Sequence, residues 1–267
     1  MTQSQRIIKY FAIALAFLII FSIFSSIFGF INTFTIKKEK NREIESIFNS
    51  DDANVAYLDI DVKAVDLVIK KGDKLLAESN NKYINCKQNN NKLIIKERKH
   101  SSWSKNNNKL IITIPENIEF DAFRLDAGAG KIDIDQINSK KADINLGAGK
   151  VIINVLNATD KLKLDTGAGK LDILNGSINN LDLDMGVGKV SINSKLTGNS
   201  KIDAGVGNLK IDLLNKIDDY YIDISKGLGS ISLNGEDLSE GTYGSGSNEI
   251  NIDGGIGNID ITTIGRW

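Results

Sequence analysis

Through the second half of the chain, aliphatic and polar residues alternate in short runs that break at one recurring point, a Gly-x-Gly. The first glycines are Gly128, Gly147, Gly167, Gly186, Gly205, Gly227 and Gly255, giving steps of 19, 20, 19, 19, 22 and 28 residues. Three residues before each stand Leu125, Ile144, Leu164, Leu183, Ile202, Ile224 and Ile252. Four after stand Ile132, Val151, Leu171, Val190, Leu209, Ile231 and Ile259, and the sixth position is also always aliphatic. Period-two alternation turns one face of each strand inward. A strand, a glycine corner and a second strand, repeated at about 20 residues, predict one turn of a β-solenoid, in which each turn lies on the next.

Glycine at the corner permits positive φ or close backbone approach. Polar stretches such as Asn175-Gly176-Ser177 close the coil. The residue between the glycines is Ala129, Ala148, Ala168, Val187, Val206, Leu228 or Ile256, and its growing size predicts a core whose cross-section changes along the axis. At strand spacing, seven rungs span on the order of 30 Å. Outward positions also repeat. Two residues before the first glycine come Asp126, Asn145, Asp165, Asp184, Asp203, Ser225 and Asp253; three after come Lys131, Lys150, Lys170, Lys189, Asn208, Ser230 and Asn258. Stacked like charges repel, and the expectation is that Asp beside Lys around the corner relieves this. Such ladders are either a strip that binds a polymer or a solvated face.

Residues 53–121 lack the Gly-x-Gly but still alternate, as in VAYLDIDV, DLVIKK, KLIIKE and KLIITIPE, with turns at Asn89–Asn91 and Asn106–Asn108. They read as irregular leading coils or a small antiparallel cap, because an open solenoid end exposes a strand edge. Residues 235–249 read as a flexible insertion, and Arg266 and Trp267 as a cover for the last rung. The repeats themselves occupy 122–267.

The start is different. Between Lys9 and Lys37 there is no charged residue. About 20 apolar residues cross a bilayer, so residues 1–36 are expected to hold one uncleaved transmembrane helix behind a short basic start, a signal anchor. Residues 37–52 follow as a charged juxtamembrane linker. Lys37, Lys38, Lys40 and Arg42 oppose Arg6 and Lys9, so basic residues slightly favour keeping the C-terminal domain inside. A surface role for a large repeat domain favours outside.

Composition narrows the chemistry. Hydrophobic residues make up 41% and charged residues 25% of the 267, as in folded protein, and proline occurs once. Residues 38–267 carry 30 basic and 34 acidic groups, or −4, which gives no electrostatic footprint for nucleic acid. Cys86 is the single cysteine, so no intramolecular disulfide forms, and one His and one Cys exclude His/Cys metal sites. The GAGK of 128–131, 147–150 and 167–170 lacks the following Ser or Thr and the helix of a phosphate loop. A Rossmann fingerprint would need a third glycine. The nonapeptide calcium repeat has the wrong period, and lysine would repel the ion. His100 reads as a loop residue, and Trp103, Tyr220, Tyr221 and Tyr243 as exposed aromatics able to stack on sugar. Catalytic, cofactor-binding and metal residues are expected to be none, and no cofactor is expected.

The strand Ile111–Glu116, followed by LDAGAGKIDID, INLGAGKVIIN and LDTGAGKLDIL, resembles the bacterial family of Gly-x-Gly β-strand-repeat proteins known as "putative adhesins". The likeness covers roughly 53–262. It implies a β-solenoid, an association with the cell envelope, adhesion or envelope stress, and no catalytic residues. The expected protein is therefore a membrane-anchored, non-enzymatic surface module, with the repeat domain extracellular. Its partners would be a cell-wall polymer, a host surface or an envelope protein. The alternatives are a scaffold that assembles through its solenoid ends, on the cytoplasmic side if the anchor is reversed, and a polysaccharide-active enzyme.

Overall fold

The computed structural model describes residues 43–50, 54–98 and 108–264. They fold as an all-β stack of parallel rungs in one continuous sheet system. The predicted transmembrane segment, His100, Trp103, Arg266 and Trp267 lie outside the described residues. Among the described residues no helix is long and apolar enough to cross a membrane.

Each coil has a first-face strand before the corner, a second-face strand after it, and a short third-face segment. The third face stacks Asn157 on Ser177 and Ser177 on Lys195. Rungs register glycine on glycine: Gly169 pairs with Gly188, Gly188 with Gly207, and Gly207 with Gly257. The aliphatic positions read from the repeat point inward, and Leu125, Ile144, Leu164, Leu183, Ile202, Ile224 and Ile252 are all buried. Burial of each such side chain contributes about 1.5–3 kcal/mol, and since the rungs share one core, their stabilities are coupled to their neighbours.

Rung order is not chain order. At the C-terminal end, the strands Asn199–Asp203 and Val206–Leu213 pair with Asn248–Asp253 and Ile256–Thr263. Those in turn pair with Tyr220–Ser225 and Leu228–Leu233, which form the outermost rung. The seventh repeat is thus inserted between the fifth and the sixth. The mirror arrangement occurs at the other end. The coil of Tyr57–Ala64 and Asp66–Gly72 has Lys92–Glu97 and Lys109–Pro115 on one side, and Phe120–Ile173 on the other. This accounts for the long 28-residue step, because its extra residues build the outer cover of the stack.

That cover corrects two expectations. Residues 235–249 are not a loose insertion: Glu236–Asp237 and Gly241–Gly244 run antiparallel against the terminal rung. Asn234 and Gly235, with φ of 54° and 85°, make the tight turn that starts the cover. Residues 37–52 are not wholly a linker either. Glu45–Ser50 is a strand antiparallel to Leu75–Ser79, with Ile47 and Phe48 packed against the core. Leu75–Ser79 and Ile84–Asn89 seal the N-terminal rung, and Asn90 at φ 50° makes the turn after Asn89.

Two glycines per corner are needed for two reasons. Gly149 sits at φ +146°, and a Cβ there would run into the carbonyl oxygen of Gly130 on the next rung; one on Gly147 would meet that of Gly128. Lys63 and Val65 hold the same positions in the coil that begins at Tyr57. The Glu97 carboxylate accepts the Lys63 and Ala64 amides, at 2.7 and 3.2 Å. In the repeats, where one glycine corner stacks upon another, a Cβ would meet the neighbouring carbonyl.

Candidate interaction surface

Outward residues of the first face form two columns. The column nearer the corner runs Asp61, Asp126, Asn145, Asp165, Asp184, Asp203 and Asp253, with Asp165, Asp184, Asp203 and Asp253 in direct succession. One step back along the strands, signs alternate. Asp182 lies between Lys163 and Lys201 in register, and Asp143 and Asp182 both act on Lys163.

Relief of the acidic ladder therefore comes from the same strand, not from around the corner. Lys163 meets Asp165 and Lys201 meets Asp203, each at 2.9 Å. Hydrogen bonding to those carboxylates, assisted by their charge, raises both ammonium pKa values. The corner lysines are held on the second face instead: Lys170 by Asp172 at 2.6 Å, and Lys131 by Asp133 at 3.9 Å. Lys150 and Lys189 face Ile152 and Ser191 at the corresponding positions. An open groove of about 560 Å³ runs beside the acidic column between Asp126 and Asp184, floored by Ala127, Leu146 and Thr166. Its chemistry is fixed charge repeated at rung spacing, suited to an extended ligand with a matching period. Among the described residues no group of three or more His, Cys, Asp or Glu side chains could hold a metal ion.

The residues between the glycines do not line the core. They are half-buried to exposed, with Val187 36%, Ile256 43% and Leu228 49% exposed. In spatial order the series runs Ala129, Ala148, Ala168, Val187, Val206, Ile256, Leu228, an apolar ridge that grows towards the C-terminal end. The core cross-section is therefore not what their size records. The repeat already shows an apolar residue at every corner; its orientation is decided by the two glycines, which turn the backbone.

The aromatics separate. Tyr220 is fully buried, and burial pushes its phenol up to about 12. It is a core residue, not a sugar platform. Tyr243 packs against the core and donates its hydroxyl to the Ser239 carbonyl at 2.9 Å. Tyr221 remains exposed at the outermost rung. Cys86, half-buried on the N-terminal cover, has its thiol pushed up to about 12 by burial.

The family model described as Toastrack DUF4097 matches residues 55–262. Among solved structures, the chain is similar to a "putative cell adhesion protein" from Clostridium sporogenes at 18% identity, covering 83% of this chain and 98% of that one (TM-score 0.34). It is also similar to a "putative adhesin" from Bacteroides fragilis at 16% identity, covering 82% and 97% (TM-score 0.34). A third, from Parabacteroides distasonis, has 16% identity over 84% and 98% (TM-score 0.36). No curated protein matches the sequence.

Proposed function

The chain belongs to the Toastrack DUF4097 family, and from that premise we propose that it is a membrane-anchored, non-enzymatic binding module of the cell envelope, adhesin-like in role. The observation that carries this reading is the regular array of outward charge beside an open groove, in a stack whose interior is filled by aliphatic side chains. Such an array suits a repeating polymer or a broad surface better than a single small molecule, because each rung offers a similar contact and the contacts add. The apolar segment between Lys9 and Lys37 supplies the anchor, and the repeat domain faces outward. A scaffold built by end-to-end stacking is less well supported, since antiparallel strands seal the N-terminal rung.

The test is protease treatment of intact cells that express the full chain, with a cytosolic protein as lysis control, followed by sedimentation with cell-wall fractions. Digestion of the repeat domain and co-sedimentation with wall material are expected. Protection of the domain on intact cells would sink the outward orientation. Absence of binding to wall, lipid and envelope-protein fractions alike would sink the binding module.

A further inference from the structure

The two ends of the stack are finished differently. At the N-terminal end the outermost second-face strand is covered along Leu110–Thr113, the first-face strand along Lys92–Glu97, and Glu45–Ser50 adds a further layer. At the C-terminal end the first-face strand is covered from Tyr221 to Ile224. The second-face strand Leu228–Leu233, however, pairs with its cover only at Ser232 and Leu233, with one further bond from the Leu238 amide to the Ile231 carbonyl. Among the described residues, Leu228, Gly229 and Ser230 have a rung on their inner side and no strand on their outer side. The Leu228 amide bonds inward to Gly255. By the alternation of a parallel ladder, Gly229 then turns its own amide and carbonyl outward.

Two independent features coincide at this edge. The apolar ridge reaches its largest members here, with Leu228 49% and Ile256 43% exposed on adjacent rungs. Charge is also segregated here. Residues 211–264 hold ten carboxylates against two lysines, a net −8, whereas residues 122–210 hold ten against twelve basic groups. Glu236, Asp237 and Glu240 belong to the cover that flanks the open edge.

We propose that the edge Leu228–Ser230 is a docking site for an extended, basic polypeptide segment of a partner protein. The segment adds as a strand to the terminal rung, lays an aliphatic side chain on Leu228 and Ile256, and sets its lysines or arginines against the surrounding carboxylates. Backbone pairing provides the affinity of such strand addition, and side-chain pockets provide its selectivity. A second copy of this chain is disfavoured, because a two-fold contact would bring two strongly acidic ends together. The site is separate from the charge columns of the first face, and it can stand if the envelope role fails.

The test uses the full chain in detergent micelles and a fluorescein-labelled octapeptide of alternating lysine and valine, read by fluorescence polarisation. Saturable binding is expected, weakened at least about tenfold by Leu228→Ser and unaffected by Leu174→Ser, a change at a residue that is 50% exposed elsewhere. The same peptide with alternate backbone amides N-methylated, and a glutamate–valine peptide, should each bind at least about tenfold more weakly. Circular dichroism of Leu228→Ser should match the parent. Glu236→Lys with Asp237→Lys provides a second disruption that leaves Leu228 in place. Failure of the lysine–valine peptide to bind, equal binding by the N-methylated peptide, or indifference to both variants would overturn the proposal. Peptide-free dimers in sedimentation that Leu228→Ser abolishes would overturn it in favour of a second copy.

Discussion

At the scale of the residue, the corner glycines are fixed by what lies on the neighbouring rung. Gly149→Ala places a methyl group against the Gly130 carbonyl at φ +146°, so a loss of about 1–3 kcal/mol is expected from backbone strain alone. Thermal unfolding measures it, with Gly241→Ala, at φ +144° but with nothing within 4 Å of the added Cβ, as the control that carries the strain without the contact. Tyr220 gives a pH signature. Its folded pKa is raised to about 12 from an unfolded value of 10.0, so the folded state favours the protonated phenol. That stabilisation is fully present below pH 10 and is lost as pH rises through 12. Denaturant midpoints should therefore fall between those values, and Tyr220→Phe should flatten the fall. Cys86, raised to about 12 by burial, should react with a thiol reagent at neutral pH far more slowly in the folded chain than in denaturant. Equal rates would refute its enclosure.

At the scale of the element, the insertion of one coil between two earlier ones makes the C-terminal end interdependent. Residues 248–263 bridge the rung of 199–213 and the outermost rung of 220–233. Removing residues 235–267 therefore does not trim a final rung. It withdraws an interior one and leaves 220–233 without its parallel neighbours. Limited proteolysis of that truncated chain should cut within 214–233 while leaving the coils of 122–197 intact. Protection of 220–233 would contradict the rung order. The out-of-order placement at both ends also has a folding consequence, because the end rungs close only after chain distant in sequence returns, and such long-range contacts form slowly.

At the scale of the whole molecule, charge is polarised along the chain. Positive and negative groups balance over the middle coils, and the acidic excess collects in residues 211–264. Binding of a basic partner at that end should weaken steeply as salt rises, because exposed charges are screened over about 8–10 Å at physiological ionic strength. At the other terminus, deletion of residues 10–36 should release the protein from membranes that otherwise retain it through alkaline carbonate extraction. Retention of the deleted form would remove the anchor from the proposed role.

The sequence alone determined the coil. Period-two alternation broken by Gly-x-Gly names the inward side chains, and the buried residues from Leu125 to Ile261 follow it. The N-terminal apolar run is likewise a matter of composition. Tertiary structure decided everything that depends on which rung meets which. Spacing cannot show that Gly257 stacks on Gly207 and Gly229 on Gly257, because all rungs share one hydrophobic pattern and any of them could stack on any other. Orientation at the corner was also beyond the pattern. An apolar residue between two glycines suits the core by composition, yet the backbone conformation at Gly188 and Gly229 turns Val187 and Leu228 outward. The pairing of Lys163 with Asp165 in place of a lysine across the corner has the same origin, since position along a pleat, and not proximity in the repeat, sets which charges can touch.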